Sequence, residues 1–239
     1  RSFELYPAAF PSQFGNATGG VIDVSLREPR SQEFTTTVNW SFLLTGIMVE
    51  SKVNESQSFY ASYRRSLLDQ FISEDDADEE MEPEDAGISL DQFPIAEDYQ
   101  FKYNWFISDQ SSLTFVAAGA SDEVAVTFSE ESDIVSRDPD FAGALGYNQG
   151  FDSQGIVWDW QSEDNDQTIR TALSHTLESF DLYYGINQKR LIDNERSIFR
   201  IDYAQPLPSL EWEDHIISSG YTFERRSYDY YVNAKIPNC

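Results

Sequence analysis

The sequence predicts an all-β chain, an antiparallel up-and-down meander forming part of a transmembrane β-barrel. Three observations carry this. After residue 34 apolar and polar residues alternate with period two in segment after segment, and no stretch of convincing length has helical period. Phe, Tyr and Trp make up 15% of the chain, and such residues suit a pleated surface. Short and long polar connections take turns between the strand-like segments, as tight turns and extended loops do in an outer-membrane barrel.

In chain order, Val38, Trp40 and Phe42 oppose Thr37, Asn39 and Ser41, while Ile47 and Val49 oppose Glu50 and Lys52. Phe59, Ala61 and Tyr63 then oppose Ser62 and Arg64. In the segment from Tyr99 to Ser108 the residues Phe101, Tyr103, Trp105 and Ile107 fall on one face, with Lys102 and Asn104 on the other. Ile156, Trp158 and Trp160 oppose Gly155 and Asp159; Ile169, Leu173 and Leu177 oppose Arg170, Ser174 and Glu178. Phe199, Ile201 and Tyr203 oppose Arg200 and Asp202. With two blurred stretches, Leu113–Phe128 and His215–Ala234, about nine strands are expected.

Short turns are expected at Asn54–Gln57, Ser108–Ser112, Ser162–Gln167 and Pro206–Glu211. Long connections are expected at Ser73–Asp98, Ser129–Gly150 and Asn187–Glu195, with a short exception near Leu44–Gly46. In a barrel the polar faces line a wet lumen. On that reading Asn39, Glu50, Arg64, Lys102, Asn104, Asp159, Arg170, Arg200 and Asp202 face the lumen. A half-solvated soluble sheet would also allow such charges.

Composition bounds the function classes. A formal net charge of −26 leaves no clustered Lys and Arg for a phosphate backbone, so a nucleic-acid partner is not expected. Cys239 is the only cysteine, so no intrachain disulfide forms, and with His175 and His215 the only histidines no Cys/His metal site is expected. No apolar run is long enough for a spanning helix, a test that β-strands of about 9–11 residues evade.

Before the strands lies Phe3-Glu4-Leu5-Tyr6-Pro7-Ala8-Ala9-Phe10-Pro11-Ser12-Gln13-Phe14-Gly15-Asn16-Ala17-Thr18-Gly19-Gly20-Val21-Ile22-Asp23-Val24. This resembles the end of the plug domain of TonB-dependent outer-membrane receptors, and Phe59-Tyr60-Ala61-Ser62-Tyr63-Arg64-Arg65-Ser66-Leu67-Leu68-Asp69 resembles an early barrel strand of the same family. The resemblance implies that residues 1–30 end a plug, with Gly15, Gly19, Gly20 and Asp23 as its plug–barrel motif, and that residues 31–239 begin the barrel. Paired glycines suit positive φ and close backbone approach there. It further implies active uptake of a scarce nutrient across the bacterial outer membrane, driven by the TonB complex. A ferric siderophore, cobalamin, an oligosaccharide and a peptide are all compatible ligands. The bend reads Tyr-Pro-Ala-Ala-Phe-Pro where Arg-Gly-Pro is commoner, a mark of a divergent subfamily. The signal peptide, TonB box, most of the plug and the remaining strands are expected to lie outside this chain.

No nucleophile, cofactor loop or metal triad is visible, so neither catalysis nor a cofactor is expected. The alternatives are a soluble secreted β-sandwich that binds or hydrolyses carbohydrate, and a passive porin, against which residues 3–24 count. The acidic run Glu74–Asp85 lacks the Ca²⁺-loop spacing and reads as a solvated loop, with weak divalent-ion bridging as the alternative. Asp138, Asp140, Asp152 and Asp159 read as loop and lumen carboxylates rather than a glycosidase pair, and His175 as an interfacial residue rather than a ligand. Trp40, Trp105, Trp158, Trp160, Tyr183, Tyr184, Tyr228, Tyr230 and Tyr231 read as an interfacial girdle, and Tyr147 and Phe151, at the rim of a long loop, as ligand contacts.

Expressed without the rest of a barrel, the chain would leave edge strands whose bare backbone groups each cost several kcal/mol in lipid. It is therefore expected neither to transport nor to fold stably by itself. A monodisperse, cooperatively melting monomer in plain buffer would count decisively against the barrel.

Overall fold

The computed structural model describes residues 2–7, 19–30, 33–41, 43–68, 88–130, 132–164, 166–185, 188–206 and 216–233. Two sheets are present. A two-stranded antiparallel pair joins β1 (Ser2–Tyr6) to β2 (Val21–Ser25). A nine-stranded antiparallel sheet then runs in strict sequence order from β3 to β11. Its strands are β3 (Thr35–Trp40), β4 (Leu44–Asn54), β5 (Gln57–Ser66), β6 (Ile88–Ser108), β7 (Ser111–Phe128), β8 (Gly143–Gln161), β9 (Thr168–Tyr184), β10 (Gln188–Pro206) and β11 (Ile216–Asn233). This is the predicted meander. A sandwich would need two sheets packed face to face.

Turn chemistry explains several connections. At β4–β5 the Asn54 carboxamide oxygen accepts from the Ser56 N–H at 2.9 Å, and at β6–β7 the Ser108 hydroxyl accepts from the Gln110 N–H at 3.2 Å. At β8–β9 the Ser162 hydroxyl donates to Asp164 and accepts from the Gln167 N–H. The Ser162 hydroxyl and the Asp166 N–H, both donating to Asp164, hold its carboxyl below the usual carboxylate range. Its contribution to the turn is therefore present above the unfolded pKa and lost as pH falls through the folded one. At the other end β7 and β8 are joined through one helical turn, α1 (Asp133–Arg137), capped by Ser132, and the 3-10 turn Pro139–Phe141.

Three expected loops are shorter than the sequence suggests. β10 starts at Gln188, so Asn187–Glu195 is strand and not a long connection. Gly185, at φ 59°, closes that tight turn. β8 starts at Gly143 and β6 at Ile88, which moves most of the expected loop residues 143–150 and 88–98 into the sheet. The short connection expected at Leu44–Gly46 lies instead at 41–43.

Direct pairing across all eight strand pairs fixes two faces. One carries the row Phe59, Tyr103, Phe115, Ile156, Leu173, Phe199 and Phe223, each opposite the next from β5 to β11. Trp40, Trp105, Trp158 and Ile201 share that apolar face, and much of it is bare: Trp40 is 75% exposed. Asn39, Lys102, Asn104, Asp159, Arg200 and Asp202 share the other, polar face.

The apolar area is oblique to the rows. One row nearer the 41–43 end it reads Val49, Ala61, Phe101 and Ala117 on β4–β7, but Gln154, His175, Ser197 and Arg225 on β8–β11. At the opposite edge the outermost large aromatics step from Trp105 on β6 to Trp160 on β8 and Tyr203 on β10. A band of constant depth cuts tilted strands obliquely, so both edges slope as a tilted barrel wall requires.

On the apolar face the Tyr99 ring lies over Gly119 and its hydroxyl donates to Asp152, leaving no room for a Cβ at residue 119. Gly119→Ala is expected to cost about 1–3 kcal/mol by overpacking, read as a lower melting midpoint in detergent. Adding Tyr99→Ala should recover only part of that loss, because the Phe151 carbonyl oxygen also lies 2.9 Å from the added Cβ; an unchanged midpoint in the single variant would show that both the ring and the β8 backbone give way.

Candidate functional site

Residues 26–30, which follow β2, lie on the polar face of β4–β6. The Arg27 guanidinium donates to Glu50 on β4 at 2.9 Å and to the Met48 sulfur at 3.0 Å, and it sits 4.8 Å from the ring centroid of Tyr60 on β5. The same Glu50 oxygen accepts from the Arg30 N–H at 2.9 Å. Glu28 then takes Lys102 on one carboxylate oxygen and the Asn104 amide on the other. Asn104 in turn accepts from the Thr114 hydroxyl of β7 at 3.2 Å. The wall side of the network is shut off from water, with Tyr60 at 3%, Asn104 at 6% and Glu50 at 7% exposure, while Glu28 reaches it from the open side with 68% of its side chain exposed. Buried charges of this kind persist only when paired and hydrogen-bonded.

The structure therefore brings together three of the residues picked from alternation, Glu50, Lys102 and Asn104. The others are spread along the same face. Arg64 pairs with Asp98 at 2.7 Å, Arg170 with Asp159 at 3.6 Å, and Arg200 with Asp202 at 2.6 Å. Asn39 sits at the β3 edge opposite Gly46. Of the motif residues, Asp23 pairs with Glu4 across β1–β2, and a Cβ on Gly20 would meet the Tyr6 carbonyl at 3.1 Å. Close approach is thus found at Gly20, whereas the positive-φ glycines among the described residues are Gly143 and Gly185. Gly15, His215, Cys239 and the acidic run Glu74–Asp85 lie outside the described residues.

Tyr147 and Phe151 are not on a loop: both belong to β8 and fall on the polar face, opposite Val124 and Ala120 of β7. Of the expected girdle, Trp40, Trp105, Trp158, Trp160, Tyr183 and Tyr231 share the apolar face. Tyr184, Tyr228 and Tyr230 are on the polar one. His175 is on the apolar face at its upper edge, 3.1 Å from the Ser197 hydroxyl. A groove of about 550 Å³ lies above that edge, lined by Ser121, Asp152, Leu177, Ser179, Glu195 and Asp229 among others.

No protein-family model matches the chain, and no curated protein does. Among solved structures it is similar to the ferripyoverdine receptor of the outer membrane of Pseudomonas aeruginosa, bound to ferripyoverdine, with a TM-score of 0.59 and 11% identity. The likeness covers 93% of this chain and 32% of that one, so the chain spans about a third of the receptor's length. The sheet has the fold of an outer-membrane barrel wall. Sequence reasoning picked out the wall's half of the buried network but missed Arg27 and Glu28, which read as an ordinary charged link before Pro29.

Side-chain exposure of 17% at Arg27 and 10% at Glu50 makes their pairing a buried one. Glu50→Ala is expected to cost about 3–5 kcal/mol because the guanidinium stays buried without its partner. The Arg27→Met, Glu50→Ala pair should cost much less. Hydrogen exchange at residues 26–30, together with melting in detergent, separates the two cases.

Proposed function

We propose that this chain is part of the wall of a plugged outer-membrane receptor, with its polar face toward the lumen, and that the whole protein takes up a small nutrient by TonB-driven transport. The observation that carries the reading is sidedness. The segment before the strands is bonded to the polar face by Arg27 and Glu28, while the aromatic face is left bare. A soluble domain would cover the aromatic face first, because burying apolar area is the main gain on folding. Lipid in place of water removes that need, and the sloping apolar band supports a bilayer as the solvent.

On this reading residues 1–30 end the plug, Gly19, Gly20 and Asp23 lie in its last hairpin, and Tyr147 and Phe151 contact ligand from the wall. The similar structure binds ferripyoverdine, which supports a small ligand in the lumen without selecting one. The chain's role is transport and not catalysis.

The test uses the full-length protein in liposomes, keeping only Trp105, Trp158 and Trp160 as tryptophans. Lipids brominated along their acyl chains should quench the emission strongly and aqueous acrylamide only weakly. Uptake by the intact cell should stop when TonB is deleted. Emission quenched by acrylamide and indifferent to the brominated lipid would overturn the placement; uptake that persists without TonB would overturn the energy source.

A further inference from the structure

We propose that the polar face of β8–β11, toward the 185–187 end, binds a small anionic ligand that also carries a ring. The inference rests on the reading that this face lines the lumen, and it selects a ligand chemistry within it.

Charge is divided unevenly between the two faces of these strands. Arg170, Arg190, Arg196, Arg200 and Arg226 take polar-face positions, against the carboxylates of Asp159, Glu178, Asp202 and Glu224. Among the described side chains the apolar-face positions hold Asp152, Asp181, Asp193, Glu195 and Asp229, against Arg225. In a chain with 16 Lys and Arg against 42 Asp and Glu, a face with more arginines than carboxylates is a departure from composition. It is a feature that attracts anions to one side only.

The cations are also placed at a cost. Arg196 and Arg226 stand directly opposite each other on β10 and β11, a like-charge pairing that weakens a strand pair. A single carboxylate, Glu224, serves both, at 2.6 Å from the Arg196 Nε and in contact with Arg226. Two guanidiniums share one negative charge, and at 38% and 44% side-chain exposure both remain open to a ligand. Guanidinium forks match carboxylate, sulfonate and phosphate oxygens.

The row beside them supplies ring surfaces. Phe151, Glu178, Asn194 and Tyr228 come next toward the 185–187 end, with the Glu178 carboxylate accepting from the Asn194 amide at 2.7 Å, and beyond them Arg190 lies 5.5 Å from the ring centroid of Tyr230. Phe151 is 45% exposed and Tyr230, with Arg190 over one face, is 62% exposed, so open ring surface remains to stack on a planar group. Anion forks beside open aromatic faces select a ligand with both features.

The experiment measures fluorescence anisotropy of carboxyfluorescein, a ring-bearing polyanion, on the detergent-purified full-length protein at mildly alkaline pH. Its cationic diamino analogue, rhodamine, is the matched probe of opposite charge. Carboxyfluorescein should bind the more tightly, and Arg196→Gln or Arg226→Gln should each weaken it about tenfold, as loss of one charge-assisted hydrogen bond does. Glu224→Gln should tighten it, an effect that a misfolded variant would not produce. Phe151→Ala and Tyr228→Ala should weaken carboxyfluorescein more than they weaken free sulfate. Rhodamine binding as tightly as carboxyfluorescein, or arginine variants with unchanged affinity and unchanged melting, would overturn the proposal. The measurement needs no energised transport: anion binding without TonB-dependent uptake keeps this site and sinks the transport reading, and uptake without anion binding does the reverse.

Discussion

Everything in this wall depends on register. Side chains alternate with a period of two, so a slip of one residue between any neighbouring strands would carry a whole row to the other face. Away from the bulges near 52–54, 89–95 and 106–108 the observed pairing avoids this from β3 to β11: Asn39 connects through Gly46 and Arg64 to Asp98, and Glu50 through Tyr60 to Lys102. Further along, Asp159 is opposite Arg170, and Arg170 opposite Asp202. Because those chains stay on one side, a single aromatic band and a single polar lining exist at all.

The polar lining is then usable as a docking surface. Arg27 meets partners from two strands that only a correct register places side by side, Met48 and Glu50 on β4 and Tyr60 on β5, while Glu28 meets Lys102 and Asn104, neighbours on the same face of β6. A buried ion pair gives little net stability compared with apolar packing, but it discriminates sharply between right and wrong placements. Here that selectivity fixes where the segment before the wall lies.

The part of the fold lying in the apolar band was legible because its two faces meet different solvents. Lys102 and Asn104 among Phe101, Tyr103 and Trp105 are an unmistakable alternation. Beyond the band both faces of a strand are polar, and the contrast disappears. That is why Gln188–Glu195 and Gly143–Gly150 read as loops and why Tyr147 and Phe151 were assigned to a rim, although the strands continue through them. The consecutive Tyr230 and Tyr231 carry no period, so nothing in the sequence separates the ring on the polar face from the one on the apolar face. Arg196, Arg226 and Glu224 were similarly hidden, since their proximity comes from pairing between β10 and β11.

The buried network also has a bearing on the order of assembly. Arg27 is separated by 23 residues from Glu50, and Glu28 by 74 and 76 residues from Lys102 and Asn104. As the chain is made, the two charges of the segment emerge long before β6 exists to receive Glu28. Arg27 has its partners once β4 and β5 have paired, whereas Glu28 must wait for β6, because loop closure has to precede the contacts that reward it. The segment thus docks in two stages, Arg27 on the paired β4 and β5 and Glu28 afterwards on β6.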